Sequence, residues 1–213
     1  MTTLYKLTDQ DGYTRRGMSN ETLWGEGVEH TAPGGGELCT NSWLHAYPNL
    51  NLAVIMNPIH ANLKDPIGWV SRGDVGISTP DKVGCTKLIT LNKIPLPNPT
   101  LNQRIAFGIL SAFSMYHEQS FLMWARGWLD GTDRSKGAAR AVADAAYAAA
   151  DAAYAARAAA AAAAAVADAA YAYAAAADAA YAAAYSHTLD LARIADYAMS
   201  RVDTWEVDFE NPS

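Results

Sequence analysis

The stretch from residue 88 to residue 100 divides the chain into a β-rich part and a helical part. It begins with the clearest strand of the sequence, Leu88-Ile89-Thr90-Leu91-Asn92-Lys93-Ile94. It continues as Pro95-Leu96-Pro97-Asn98-Pro99-Thr100, in which alternate prolines remove backbone donors and fix φ. Neither a helix nor a central strand can continue through these prolines, so they mark the exit from the β-rich part.

The part before this stretch consists of short apolar runs separated by turn residues. Turn signals such as Asp11-Gly12 and Asn57-Pro58 recur over residues 5–94. This spacing predicts a β-rich domain with short helical insertions. Ile67-Gly68-Trp69-Val70 is a second candidate strand, whereas the run from Leu50 to Met56 could be either a buried strand or one short helix.

The part after this stretch begins with two predicted helices. Thr100 is a suitable N-cap for a helix whose apolar residues recur at spacings of three and four. That apolar face consists of Ile105, Ile109, Ala112, Phe113 and Tyr116. A second helix is predicted from Gln119 to Leu129, and Gly131-Thr132-Asp133-Arg134-Ser135 then supplies several residues that can cap a following helix.

A long alanine-rich tract follows. Alanine occupies 34 of the 48 residues from Ala138 to Tyr185, and the tract contains no Gly, Pro, Asn or Ser. Because alanine has the highest helix propensity, the tract is predicted to be helical. The motif Asp-Ala-Ala-Tyr recurs in it, beginning at Asp144, Asp151, Asp168 and Asp178. These unequal intervals turn the tyrosines around the axis, so no single straight helix presents all of them on one face.

The tail has the alternation of a half-buried strand. Trp205, Val207 and Phe209 alternate with acidic residues, and a lone strand at the far end of a helical rod has nothing to pair with. We therefore expect an antiparallel helical hairpin that turns within Ala158 to Ala165 and returns the tail to the sheet. The alternative is a continuous rod whose tail pairs with another subunit.

These patterns predict an α+β fold, with a small β-rich N-terminal domain, flanking helices, a long alanine-rich helical hairpin and a C-terminal strand that returns to the sheet. The predicted domains are three. Residues 1–136 form the β-rich globular domain with two helices, residues 137–203 form the alanine-rich helical region, and residues 204–213 form the C-terminal strand and tail.

The chain is acidic, and its excess charge lies in the C-terminal part. The 213 residues include 16 Lys and Arg against 22 Asp and Glu, and residues 137–213 hold 10 of the acidic groups and 4 of the basic ones. A cluster of basic residues typical of nucleic-acid binding is absent, so no nucleic-acid partner is expected. Asp, Tyr and Arg interrupt the alanine tract, so no membrane span is expected. Two cysteines and the absence of a signal peptide after Met1-Thr2-Thr3 favour a reduced cytoplasm.

The densest group of side chains capable of chemistry lies in the segment that ends at Tyr47. Cys39 and His45 could form a nucleophile pair, but no third residue that would orient the histidine is visible, so a buried Cys39 and a hydrogen-bonded His45 are the default interpretation. The two cysteines, His45 and His60 lack the paired spacing that is usual for a zinc site. No catalytic set, metal or cofactor is therefore predicted, and Cys39, His45 and Tyr47 are candidate ligand-binding residues.

Further binding candidates lie in glycine-rich and helical segments. Gly34-Gly35-Gly36 could cradle a phosphate, although a flexible turn is the simpler interpretation. Arg134 and Ser135 lie at a predicted helix start, where free amides attract anions, and a capped helix is again the simpler interpretation. Tyr147 and Tyr154 in the alanine tract could stack on a nucleotide base or pack in a helical interface.

Several short motifs occur in order over most of residues 1–140. They are Cys39-Thr40, His45-Ala46-Tyr47, Asn57-Pro58-Ile59-His60-Ala61-Asn62, Trp69, Lys82-Val83-Gly84-Cys85, Gln103-Arg104-Ile105-Ala106-Phe107, the segment from Trp124 to Leu129, and Gly131-Thr132-Asp133-Arg134-Ser135 before the alanine tract. In these motifs and in their order, the chain resembles a family of proteins encoded by bacteriophages and prophages. Members of that family have an N-terminal globular domain and an alanine-rich helical C-terminal region. The resemblance implies a virus-encoded accessory protein, and it implies no particular activity or site.

Three hypotheses for the function follow. The first is a non-enzymatic accessory protein that binds a host protein or a small nucleotide-like ligand in the host cytoplasm, counteracts a host defence, and forms a homo-oligomer through its acidic helical extension. The second is a nucleotide-modifying enzyme, which requires Cys39, His45 and Tyr47 to lie together within reach of solvent. The third is a structural component of the virion that assembles through the alanine-rich helices.

Overall fold

The computed structural model describes residues 2–114, 116–140 and 189–206. The chain divides into two compact units, Met1–Asn98 and Pro99–Ser213, and the boundary lies in the proline-rich segment that ends the predicted β-rich part. The described elements of the first unit are an antiparallel sheet, a short ribbon and one helix, and those of the second unit are helices. The predicted α+β class is confirmed.

The first unit is built mainly from antiparallel strands. Its elements are β1 Thr2–Thr8, β2 Tyr13–Thr14, β3 Thr22–Leu23, β4 Glu29–Thr31, β5 Leu44–Ala46, α1 Leu50–His60, β6 Ile67–Ser78 and β7 Val83–Ile94. The main sheet has the order β1-β6-β7-β4, and β5 pairs with β7 next to β4. β2 and β3 form a separate two-stranded ribbon.

The main sheet closes on itself. Tyr47, the residue after β5, exchanges both backbone hydrogen bonds with Tyr5 of β1, each at 2.8 Å. Since β5 pairs with β7, and β7 with β6, the path through β1, β6, β7 and β5 returns to β1. The unit therefore contains a small closed sheet with an inner and an outer face.

Alternate strand residues line the inner face, because successive side chains of a strand point to opposite sides. The buried apolar cluster in this interior consists of Leu4, Trp24, Ala46, Val83, Cys85 and Leu88. α1 packs against β1 and buries its own apolar residues from Leu52 to Met56. The core of the first unit thus comes from the strands and from α1.

Local signals explain α1 and the two long strands. The run from Leu50 to Met56 is helical, and Oδ1 of Asn49 caps it by accepting a hydrogen bond from the amide of Leu52 at 2.9 Å. The predicted strands at 67–70 and 88–94 are both confirmed, and each belongs to a longer strand of 12 residues.

The described helices of the second unit are α2 Leu101–Phe113, α3 Gln119–Asp130 and α4 Leu191–Met199, and residues 136–140 are also helical. The predicted N-cap of α2 is confirmed, because Oγ1 of Thr100 accepts from the amide of Gln103 while the Gln103 side chain accepts from the amide of Thr100. Nε2 of Gln103 also donates to the carbonyls of Met199 and Arg201, which ties the end of α4 to the start of α2. α2 and α3, which the predicted domain 1–136 included, belong to the second unit.

The described start of the C-terminal tail corrects the prediction of a strand from residue 204. Residues 204–206 form no strand, and Trp205 is buried within the second unit. Its backbone amide donates to the carbonyl of Leu129 at 2.8 Å, and its indole Nε1 donates to the carbonyl of Ala198 at 3.2 Å. Its ring also stacks on Trp128 with the centroids 5.9 Å apart. The side chain is buried among helices, and residues 207–213 lie outside the described residues.

The predicted alanine-rich hairpin also lies outside the described residues, since residues 141–188 are not among them. Tyr147 and Tyr154 fall in this range. Within the ranges that the structure describes, no helix has the length and apolar character needed to cross a membrane.

Candidate functional site

The candidate site lies along β5 on the outer face of the closed sheet. Trp43, His45 and Tyr47 are alternate residues and therefore share one face, whereas the residues between them point into the interior cluster. His45 pairs with Gly84 of β7, and a Cβ added to Gly84 would lie 3.0 Å from Cγ of Trp43. This close approach places Trp43 and His45 on the same side of the sheet.

Glycines form the surface on which the indole of Trp43 rests. Cβ atoms added to Gly34, Gly76 and Gly84 would lie 3.5, 2.5 and 3.0 Å from the nearest atoms of this ring. A side chain at Gly76 or Gly84 would therefore displace the ring. The indole Nε1 donates to the carbonyl of Gly36 at 3.4 Å, and Trp43 as a whole is half-buried. The glycine loop thus lies beside an aromatic ring and does not precede a helix.

His45 and Cys39 have different environments. Nε2 of His45 donates to the carbonyl of Leu38 at 2.5 Å, and burial lowers the pKa of His45 to about 4, so its ring is neutral at neutral pH. The interpretation of His45 as a hydrogen-bonded histidine is confirmed. The expectation of a buried Cys39 is wrong, because this side chain is exposed. It is Cys85 that is buried in the interior, where burial raises its pKa to about 11.

Tyr47 belongs to a hydrogen-bonded chain that links three elements. Its Oη lies 2.8 Å from Nδ1 of His60, the last residue of α1. Nε2 of His60 lies 3.0 Å from Oδ2 of Asp81, in the turn between β6 and β7. Oγ1 of Thr79 donates to Oδ1 of Asp81 at 2.6 Å, and Nζ of Lys82 lies 3.9 Å from Oδ2. We call Tyr47, His60 and Asp81 the Tyr47–His60–Asp81 chain.

Charge and burial indicate where the protons of this chain lie. Burial opposes ionisation of Asp81, but hydrogen bonds from His60 and Thr79 outweigh it and hold the pKa of Asp81 below its ordinary value. Burial raises the pKa of Tyr47, so its phenol keeps its proton at neutral pH. An ionised Asp81 accepts the proton on Nε2 of His60, which leaves Nδ1 free to accept the hydroxyl proton of Tyr47.

A second buried charge lies in the interior of the closed sheet. Nζ of Lys6 donates to the carbonyl of His45 at 2.7 Å and lies 4.9 Å from the ring centroid of Trp24. Burial, together with the charge of Arg15, lowers the pKa of Lys6 to about 8. In the part of the chain that the structure describes, no carboxylate forms an ion pair with Lys6. The nearby strand β6 also buries the hydroxyl of Ser71, which has no hydrogen-bond partner among the described residues.

Arg134 and Ser135 lie in the second unit. The guanidinium of Arg134 donates through Nε to the carbonyl of Trp128 at 3.0 Å and through Nη2 to the carbonyl of Asp203, and it lies 4.6 Å from the Trp128 ring centroid. Oγ of Ser135 accepts from the amide of Ala138 at 3.4 Å, as an N-cap residue does. Arg134 therefore fastens the C-terminal segment to α3, and the capped-helix interpretation accounts for Ser135.

The structure brings together only some of the predicted site residues. His45 and Tyr47 share the outer face of β5, and Cys39 directly follows the residue whose carbonyl binds His45. The sequence did not indicate Asp81 as a site residue, and it pointed to His60 only as a zinc candidate. Within the described ranges no group of three or more His, Cys, Asp or Glu side chains could hold a metal ion. The three residues of the Tyr47–His60–Asp81 chain lie in separate parts of the sequence, so no short sequence motif contains them.

Comparisons with protein-family models, with curated proteins and with solved structures find no match to this chain.

Proposed function

We propose that the protein is a phage-encoded accessory protein that acts by binding, and that its β-rich unit binds a small nucleotide-like ligand whose base stacks on Trp43. The phage origin rests on the resemblance of the sequence motifs. The ligand rests on one observation, the half-buried Trp43 with its indole on a surface of glycines. Such a ligand would be a defence signal that the protein withholds from the host, in the host cytoplasm.

The glycines make Trp43 a rigid stacking surface. Gly76 and Gly84 leave no room for a Cβ against the ring, and the hydrogen bond from Nε1 to Gly36 restrains its rotation. A side chain that is already held in one orientation loses little conformational entropy when it binds a ligand. Stacking of a base on an aromatic side chain contributes about 1–3 kcal/mol. Trp43 could therefore supply a large part of the affinity for a small ligand.

The loop that carries Trp43 also holds a cation. Nη1 of Arg15 donates to Oδ1 of Asn41 at 3.0 Å, and Asn41 precedes Trp43 by two residues. A guanidinium group suits the planar, charge-assisted recognition of phosphate. An aromatic ring on this loop and a guanidinium group bonded to the loop are the two kinds of contact that a nucleotide uses.

Native mass spectrometry against a panel of nucleoside mono- and triphosphates and cyclic dinucleotides tests this proposal. Wild-type protein is expected to shift in mass with at least one member of the panel. Trp43→Leu, which still packs on the glycines but has no aromatic face, should weaken binding about 10- to 100-fold, and Trp43→Phe should retain most of it. No mass shift with any nucleotide, or equal affinity in Trp43→Leu, would contradict the proposal. The mass of the free protein in the same spectra tests the expected homo-oligomer.

A host protein is the second candidate partner, because two large apolar side chains five residues apart in the β2–β3 region are exposed. Met18 and Leu23 are 63% and 50% exposed, and they lie in and after the turn of the β2–β3 ribbon. Exposed apolar side chains mark protein contacts where they form one continuous patch, which is the arrangement that this candidate requires of Met18 and Leu23. Replacing both with Ser should leave nucleotide binding unchanged and should lower affinity for a purified host partner, measured by calorimetry. Loss of nucleotide binding in this variant would count against a separate protein-binding surface.

A further inference from the structure

The Tyr47–His60–Asp81 chain has the arrangement of a nucleophile, a base and a group that orients the base. Tyr47 Oη is 2.8 Å from one nitrogen of His60, and Asp81 is 3.0 Å from the other. A hydroxyl within hydrogen-bonding reach of a histidine, itself held by a carboxylate, is the geometry that activates hydroxyl nucleophiles in covalent catalysis. Thr79 fixes the second oxygen of the carboxylate at 2.6 Å, so the whole chain is held in one orientation.

The chain lies close to the protein surface. The His60 and Asp81 side chains are 14% and 12% exposed, and Tyr47 is 9% exposed. His60 and Asp81 therefore keep some exposed surface through which a donor would have to reach the buried Tyr47, whereas the inner cluster of the closed sheet is enclosed. Because Tyr47 keeps its proton at neutral pH, it needs His60 to remove that proton before its oxygen becomes a strong nucleophile.

A cation next to the Tyr47–His60–Asp81 chain indicates the class of substrate. Nζ of Lys82 lies 3.9 Å from Oδ2 of Asp81, and the Lys82 side chain is 15% exposed. Phosphoryl transfer depends on cations that neutralise the oxygens of the transferred group, and little other covalent chemistry is required of the protein. Lys82, and His60 once it has taken up a proton, would outweigh the negative charge of Asp81 and leave one net positive charge at this position.

We propose that Tyr47 accepts a phosphoryl group from a donor of the phosphoric anhydride class, with His60 as the base. Oη of Tyr47 forms a bond to the terminal phosphorus of the donor, and the bond from that phosphorus to the anhydride oxygen breaks. The leaving group departs with the electron pair as a nucleoside diphosphate or a carboxylate. The hydroxyl proton moves to Nδ1 of His60 and then to solvent, and Asp81 acts as a positioning residue for the imidazole. This self-modification goes beyond ligand binding at Trp43 and does not depend on it.

The test incubates the full chain with two small donors, the magnesium complex of ATP and acetyl phosphate, and locates the product by peptide mass spectrometry. Phosphate is expected on Tyr47, and Tyr47→Phe should carry none. Tyr5→Phe is the matched control, because Tyr5 is the cross-strand neighbour of Tyr47 in the same sheet, and it should react at the wild-type rate. Acetyl phosphate has no base to stack on Trp43, so phosphate on Tyr47 from this donor and a mass shift with a nucleotide are separate readouts, and a failure of the Trp43 ligand and a failure of this inference give different results.

Variants of His60 and Asp81 distinguish a chemical role from a structural one. His60→Ala should slow the reaction at least about 100-fold, and added imidazole should restore part of the rate. Asp81→Asn should slow it at least about 10-fold, and Asp81→Glu should recover part of that loss. If His60→Ala does not fold, His60→Gln provides the same comparison in a folded protein. Absence of phosphate on wild-type Tyr47 with both donors, or an unchanged rate in the His60 variant, would overturn the inference.

Discussion

The β-rich unit buries two charged groups and supports them in different ways. Asp81 accepts hydrogen bonds from His60 and Thr79, and its pKa stays below the ordinary value in spite of burial. Lys6 has one carbonyl acceptor and the face of an indole ring, and burial lowers its pKa to about 8. Burial penalises the charged form in both places. The difference shows that the number and charge of the hydrogen-bond partners decide whether a buried group is ionised more readily or less readily than in water.

The largest expected effect is an increase in stability at alkaline pH that is caused by Lys6. Its pKa falls from 10.5 to about 8 on folding, so between these values the unfolded chain holds a proton that the folded protein has lost. The free energy of unfolding should therefore rise across this range, by about 3 kcal/mol if Lys6 alone contributes. Urea denaturation of wild type and Lys6→Met at several pH values measures the difference.

The Lys6→Met variant should be more stable than wild type near neutral pH, because it removes a buried ammonium group that has no carboxylate partner in the described part of the chain. This advantage should decrease as the pH rises above about 8 and be gone above 10.5. A constant difference between the two proteins over that range would show that Lys6 remains charged in the folded state.

An effect of the opposite sign is expected for Asp81→Asn. This change weakens the hydrogen bonds with His60 and Thr79 and should lower the free energy of unfolding by about 2 kcal/mol. Because the pKa of Asp81 is lowered by folding, its contribution is present above the ordinary value of 3.8 and is lost as the pH falls through the folded value below it. Thermal unfolding over this acid range should show wild type losing its advantage over Asp81→Asn. Asp74→Asn, at an exposed position of β6, is the control. Equal stability of Asp81→Asn and wild type at neutral pH would contradict the role given to the chain.

The smallest expected effect concerns Ser71 and Thr90, which face each other across β6 and β7. The buried hydroxyl of Ser71 has no partner among the described residues, whereas Oγ1 of Thr90 donates to the carbonyl of Gly25 at 2.5 Å. Ser71→Ala should therefore raise the free energy of unfolding by up to about 1 kcal/mol, and Thr90→Val should lower it by about 1 kcal/mol. Chemical denaturation measures the free energy of unfolding of both variants. A loss of stability in Ser71→Ala would indicate that the Ser71 hydroxyl has a hydrogen-bond partner.

Features of the fold that depend on neighbouring residues could be predicted from the sequence. The cap at Thr100, the apolar spacing of α2 and the break at the prolines all follow from groups within a few residues of each other. β7 is longer than the predicted strand because it also includes Val83, Gly84 and Cys85. A glycine weakens a strand signal, and Gly84 is required there because the Trp43 ring lies against it.

The candidate site could be predicted only in part. Tyr47 and His45 were indicated because they lie in a dense group of polar and aromatic residues, but the partners of Tyr47 come from α1 and from the β6–β7 turn. These partners come close to Tyr47 because the sheet closes, and no local sequence pattern predicts that closure. Trp205 gives the converse case, because its alternation with acidic residues predicted a strand while helices surround it in the structure. Alternation reports that a side chain is buried, and it does not identify what buries it.

The pairing of Tyr5 with Tyr47 bears on how the chain is made. β1 is synthesised well before its partners, since Thr2 pairs with Gly73 and Tyr5 with Tyr47. Contacts between residues so distant in sequence form slowly, because the entropy lost in closing the intervening loop must be offset first. On the ribosome, most of β1 must therefore wait until β6 has emerged before its strand hydrogen bonds can form, and factors that shield nascent strands should matter for this unit.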